Sequence, residues 1–183
     1  MKSALWLSLM LTAATLTSAQ EKFHRDKDSR FIVEEGQSLP PFSFVTFAAD
    51  TLDSDFFAQN VVLLQFVASW CPYSASQMKA IERDIWQKYQ HLGHLQIYGF
   101  SVDEPADTAA FKLWLRDKNI SYPFSYDADE RIYKLFATAH GTVPRCILVD
   151  ADGRIAMLSD EFYRRDYKRL RHLIRSMLRK MAK

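Results

Sequence analysis

Two cysteines stand in the 183 residues, Cys71 and Cys146. They are too few for a disulfide-built scaffold or a four-thiolate zinc site, so each is read singly. Cys71 lies in Ser69-Trp70-Cys71-Pro72-Tyr73-Ser74, where an apolar run gives way to helical periodicity. Pro is tolerated at the first helical position, which places Cys71 at a helix start. The unpaired N–H groups there, and the positive end of the helix dipole, favour thiolate over thiol. A thiolate attacks disulfide sulfur, so thiol–disulfide exchange is the chemistry expected of Cys71. Trp70 is expected to shield one side of the sulfur. Ser74 carries a hydroxyl that can hydrogen-bond a thiolate but cannot close a disulfide with it. Cys146 follows Pro144 by two residues. It is either a possible resolving thiol, which needs Cα atoms within about 7 Å, or a small apolar residue of a core strand. Arg145 either draws an anionic partner and raises the thiolate fraction or is a solvated surface residue.

Positioning these groups requires strands that deliver them and helices that receive them. Val61–Ala68 is a continuous β-branched and apolar run, suited to a strand covered on both faces. After Cys71, Met78, Ile81, Ile85, Tyr89 and Leu92 recur at helical spacing, and Gly93 is placed to stop the helix. Leu95–Val102 reads as a second buried strand, Ala106–Lys118 as a helix and Tyr122–Phe124 as extended chain. Phe42–Phe47 alternates as a strand does. Thr51–Phe57 reads as one helical turn capped by Thr51 or Ser54, and Asp129–Phe136 as a short helix. Cys146–Val149 and Arg154–Leu158 flank Asp150-Ala151-Asp152-Gly153, a hairpin signature. A helix with Leu170, Leu173, Ile174, Met177, Leu178 and Met181 on one face closes the chain. Strands alternating with helices predict an α/β fold, and the hairpin makes its sheet mixed.

Met1–Gln20 has one Lys, an uncharged apolar run and Thr17-Ser18-Ala19 at its end, the layout of a secretory leader. Residues 1–19 are therefore expected as a signal peptide, 20–36 as a polar linker and 37–183 as the domain. The chain is expected outside the cytoplasm, in the periplasm. No Cys lies in the leader, which excludes a lipoprotein signal. With 24 basic and 22 acidic residues, no global attraction to nucleic acid or membrane is expected. Residues 161–183 hold nine Lys or Arg against Glu161 and Asp166, a local charge of +7. They are read either as a weak membrane-surface contact or as the solvated face of an amphipathic helix. His91-x-x-His94 straddles a helix end without a nearby Cys and is not read as a metal site. No phosphate-binding motif appears, and no cofactor is called for.

Val61–Ser74 (VVLLQFVASWCPYS) resembles the active-site strand and helix of thioredoxin-like proteins, and His140–Gly153 (HGTVPRCILVDADG) resembles their second landmark. The nearer likeness is to the extracytoplasmic TlpA/ResA-type disulfide reductases, over about residues 37–180. The resemblance implies a central mixed sheet flanked by helices on both faces. It implies a cis Pro144 packed on the Cys71 sulfur, with Val143, Trp70, Pro72 and Tyr73 meeting the partner chain. Its partners would be protein thiols or disulfides and an external thiol reductant. The chain departs from the family's Cys-x-x-Cys at Ser74. The two acids that serve the resolving thiol are replaced by Gln65 and Gln77, and the usual helix Pro by Lys79. The reading is a monothiol thiol–disulfide oxidoreductase, with Cys71, Ser74 and Pro144 as its catalytic group. The alternative is a redox-inert binding or chaperone-like module on the same fold. Thiol peroxidases of the PxxxTxxC pattern need a hydroxyl residue where Ala68 stands and Pro where Leu64 stands.

Overall fold

The computed structural model describes residues 31–103, 108–138, 142–160 and 162–182. The expected leader, 1–19, lies outside the described residues. Among the described residues seven strands are present: β1 (Ser43–Val45), β2 (Thr51–Asp53), β3 (Val61–Val67), β4 (Leu95–Ser101), β5 (Phe124–Tyr126), β6 (Arg145–Val149) and β7 (Ile155–Asp160). The helices are α1 (Pro72–Ile81), α2 (Gln87–Tyr89), α3 (Thr108–Asp117) and α4 (Arg164–Met181). β3 to β7 form one sheet in the order β5-β4-β3-β6-β7. β3, β4 and β5 run parallel, while β6 pairs antiparallel with both β3 and β7.

All seven residues of β3 are buried, because the strand is central and both its faces are covered. Its side chains alternate between two layers, as the period of a strand requires. Val61, Leu63 and Val67 face Met78, Ile81 and Ile85 of the α1 segment and Leu170, Ile174 and Leu178 of α4. Val62, Leu64 and Phe66 face Val33, Phe42, Phe44, Phe57, Tyr133 and Phe136. The α-helices thus cover the first face. The β1–β2 hairpin, two 3-10 turns and the chain entering the domain cover the second. Full burial of each such Leu, Ile, Met or Phe is worth about 1.5–3 kcal/mol.

Several local expectations are corrected. Thr51 pairs with Val45 in the β1–β2 hairpin, and only Ser54–Phe57 is helical. Its cap is Asp53, whose Oδ1 accepts the N–H groups of Asp55 at 3.0 Å and Phe56 at 3.2 Å. The long helix after Cys71 widens to a π turn over Glu82–Trp86 and tightens to 3-10 at Gln90–Leu92, before Gly93 ends it at φ 74°. At the π turn the buried Glu82 carboxylate accepts bonds from Ser121 N–H at 3.0 Å and Ser121 Oγ–H at 2.7 Å. Of the helix expected at 129–136, only Tyr133–Leu135 forms, as a 3-10 turn. The Asp127 carboxylate captures the N–H groups of Ile132 and Tyr133 at 2.8 and 2.7 Å, which anchors that turn.

Several residues of the expected linker contact the folded domain. Val33 is buried, Ile32 N–H bonds Phe136 O at 2.8 Å, and Glu35 pairs with Arg169 at 2.8 Å. The hairpin reading of Asp150–Gly153 fits the turn: Asp150 Oδ1 accepts from Asp152 N–H and Arg154 N–H at 3.0 and 2.9 Å.

Candidate active site

β3 and β4 are parallel, so their carboxyl ends open on the same edge of the sheet, the edge where ligands meet parallel sheets. Cys71 lies just beyond that end of β3 and is the N-cap residue of α1, with Pro72 at the first helical position. Ser74 N–H closes the first turn on Cys71 O at 3.1 Å. The sulfur therefore sits at the positive end of α1. Cys71 is 6% exposed, yet Trp70 and Tyr73 beside it are 72% and 67% exposed. Trp70 thus stands largely in solvent.

The Val143–Pro144 peptide bond is cis. Cys71 Sγ lies 3.3 Å from Val143 O, to which its S–H donates. Pro144 is buried and Val143 half-buried, so the two segments that the sequence separates by 72 residues meet at the sulfur. Ser74 is fully buried, and its Oγ accepts the Ala68 N–H at 3.3 Å. That bond ties the helix to the end of β3 and does not reach the sulfur.

Sequence reasoning missed Asp103. Its carboxylate, 4% exposed, accepts Ser69 N–H at 2.9 Å, Ser69 Oγ–H at 2.7 Å and Ser101 Oγ–H at 2.7 Å. It pins the loop that leads into Cys71 from the adjacent strand. The usable signal was Ser101-Val102-Asp103 at the end of a strand parallel to β3, where two carboxyl ends come together.

Cys146 lies apart from this arrangement. It is 1% exposed and paired directly opposite Gln65 in the sheet. Gln65 and Gln77, at the positions where the resemblance implies acids, bond each other: Gln65 Nε2–H donates to Gln77 Oε1 at 2.6 Å. Tyr122 O–H donates to Gln65 Oε1 at 2.6 Å, and Cys146 S–H donates to Gln77 Oε1 at 3.3 Å. Burial pushes the Cys146 thiol well above its ordinary range. A thiolate there would also face the amide oxygen, acceptor against acceptor.

Arg145 answers to neither expectation. It is 2% exposed, pairs with Asp160 at 3.1 Å and donates to Thr142 O at 3.0 Å. Its guanidinium lies 4.5 Å from the Phe31 ring centre and 5.5 Å from that of Tyr133. These rings belong to the second face of the sheet, because Arg145 and Cys146 are neighbours on one strand and point oppositely. A groove of ≈ 720 Å³ lined by Phe47, Leu52, Phe56, Tyr98 and Phe124 contains no residue of the 69–74 or 143–145 segments.

A thiol at a helix N-cap, held against a cis-proline loop at the end of a central parallel strand, defines a thioredoxin-like redox fold. The chain belongs to the AhpC/TSA family, whose model matches residues 36–158. The structure is similar to a Bacteroides thetaiotaomicron protein provisionally assigned as a protein disulfide isomerase. That pair is 26% identical, with TM-score 0.77, covering 82% of this chain and 94% of that one. It is also similar in fold to a Chlorobium tepidum protein provisionally assigned as the thiol:disulfide interchange protein DsbE (21% identity, TM-score 0.66, 80% and 99% covered). The C-terminal domain of a second B. thetaiotaomicron protein, provisionally assigned as a thiol–disulfide oxidoreductase, is similar too (22% identity, TM-score 0.64, 80% and 97% covered). No curated protein matches the chain.

Proposed function

We propose that this protein is an extracytoplasmic thiol–disulfide oxidoreductase that works through Cys71 alone. The observation that carries the reading is the setting of Cys71: N-cap of α1, sulfur 3.3 Å from Val143 O of the cis-Pro loop, and Ser74 where a second thiol would be needed. In the first step the Cys71 thiolate attacks one sulfur of a partner disulfide, and the other partner sulfur leaves as thiolate. An external thiolate then attacks the Cys71 sulfur and releases the partner as a dithiol. A second external thiol frees Cys71 by closing its own disulfide. The sum converts two external thiols and one partner disulfide into one external disulfide and two partner thiols. Trp70 and Tyr73 offer exposed aromatic surface on either side of the sulfur, and Val143 offers backbone to an extended partner segment. Cys146 takes no part, since it lies inside the sheet opposite Gln65 and burial holds its thiol protonated. Ala68 and Leu64 leave the site without the hydroxyl and Pro of the peroxidase pattern.

Ser74→Cys tests the mechanism. The parent should hold mixed disulfides with an insulin-type substrate and turn over poorly with dithiothreitol. In the variant, Cys71 should close a disulfide with the introduced thiol under mild oxidant, and the protein should gain turnover and lose trapped adducts. If the parent forms no mixed disulfide, the binding-module reading replaces this one. Export is supported by the leader-like N-terminus, and intact-mass analysis of the exported chain, expected to begin near Gln20, tests it separately.

A further inference from the structure

α4 presents a surface that thiol exchange does not use. Its apolar positions Leu170, Ile174 and Leu178 are buried in the core. Its eight exposed positions are seven Arg or Lys and His172, without one acid or neutral polar residue among them. From Arg164 to Lys180 this face is about 24 Å long at 1.5 Å per residue. The rest of the chain is acidic: residues 1–160 hold 15 Lys or Arg (24 − 9) and 20 Asp or Glu (22 − 2), a formal −5 against +7 for residues 161–183.

Solvation of an ordinary amphipathic helix does not account for this. The helix dipole welcomes cations only in the last turn, whereas Arg164 and Arg165 occupy the first, where it opposes them. Arg164 and Lys168, Arg171 and Arg175, and Arg175 and Arg179 are like-charged pairs at i, i+4, each unfavourable to the isolated helix. Asp166, on α4 itself, pairs with Arg165 at 3.3 Å, and the acidic body pairs with the flanks, through Glu35 to Arg169 and Asp84 to Arg171. Among the described residues, Lys168, Arg175 and Arg179 make no ion pair.

We infer that the outward face of α4 docks the protein on an anionic lipid surface. The contact is electrostatic and superficial, because the apolar face that would insert is already buried against the sheet. A bilayer fits better than nucleic acid. The preference rests on the reading of the leader-like N-terminus, which directs the chain to a membrane. None of the ion pairs of α4 involves a residue of the Ser69–Ser74 segment.

The test is sedimentation of the full chain with vesicles of phosphatidylcholine alone or with phosphatidylglycerol added, at low and high salt. Phosphatidylglycerol should increase binding, and salt should abolish the increase. The variant Lys168→Gln/Arg175→Gln/Arg179→Gln should weaken that increase on the order of 100-fold, from roughly fivefold per cation near a charged surface. Circular dichroism and an unchanged Cys71 alkylation rate confirm that the variant is folded. Equal binding to both vesicle types overturns the inference, as does undiminished binding of the folded variant. Tighter binding of a duplex oligonucleotide than of phosphatidylglycerol vesicles at the same salt also overturns it.

Discussion

Cys71 sits past the end of β3, where the chain turns into α1, with aromatic neighbours in solvent on either side. Cys146 sits one strand away in the middle of the sheet, 1% exposed, opposite Gln65 and beneath Gln77. Both thiols donate to an oxygen at 3.3 Å, but the oxygens differ in kind. Val143 O belongs to a loop at the mouth of the site. Gln77 Oε1 belongs to a closed amide network that runs from Tyr122 through Gln65. On the proposed function, the first thiol meets the incoming disulfide and the second keeps its proton. The difference comes from position along the strand, since the side chain is the same.

The comparison breaks most sharply on substitution. Cys71→Ser should abolish mixed-disulfide formation with a peptide disulfide, while Cys146→Ala should retain it, as read by intact mass. Adducts surviving in Cys71→Ser would move the chemistry to Cys146.

Alkylation sharpens the contrast in the native protein. At pH 7, iodoacetamide should modify Cys71 faster than Cys146 by ~10³-fold or more, because Cys146 reacts only through rare opening of the sheet. Peptide mapping after brief treatment measures the ratio, and guanidinium should bring the two rates together. Comparable native rates would mean that the amide network does not seal Cys146.

Gln77→Leu should cost about 1–3 kcal/mol in denaturant unfolding, since Gln65 N–H and Cys146 S–H both lose a buried acceptor. Cys146 should then alkylate faster, with Cys71 little changed. A neutral effect would show that the network relaxes without cost.

The smallest expected effect is in alkali. The folded state raises the Cys146 thiol, so above the ordinary thiol value of roughly 8.5 the unfolded chain releases its proton first. This contribution to stability is full below that pH and is lost as pH rises past it, by up to about 1.4 kcal/mol per pH unit. Cys146→Ala should show a shallower fall between neutral and alkaline pH. Parallel curves would show that Cys146 ionises equally well when folded.

The central strand and the Cys71 junction were legible because each is a local pattern, whereas the cis Pro144 was implied by the resemblance alone. A continuous apolar run, a Cys-Pro start and a helical stripe carry their meaning within a few residues. The turns at 51–57 and 129–136 misled for the opposite reason. Val45 drew Thr51 into a hairpin, and Asp127 lay outside the stretch expected to be helical.

The sequence by itself determined the α/β order of elements, the placement of a lone thiol at a helix start and the absence of a second thiol on that turn. Sequence spacing and periodicity are enough to dictate these. Tertiary structure alone decided that Gln65 and Gln77 join as an amide pair and that Cys146 is sealed beneath them. It alone placed Arg145 on the opposite face of the sheet from Cys146 and had Asp103 hold the loop before Cys71. Each depends on strand register or on segments far apart in the chain, and a buried polar group's partner is set by what the fold brings within hydrogen-bond reach.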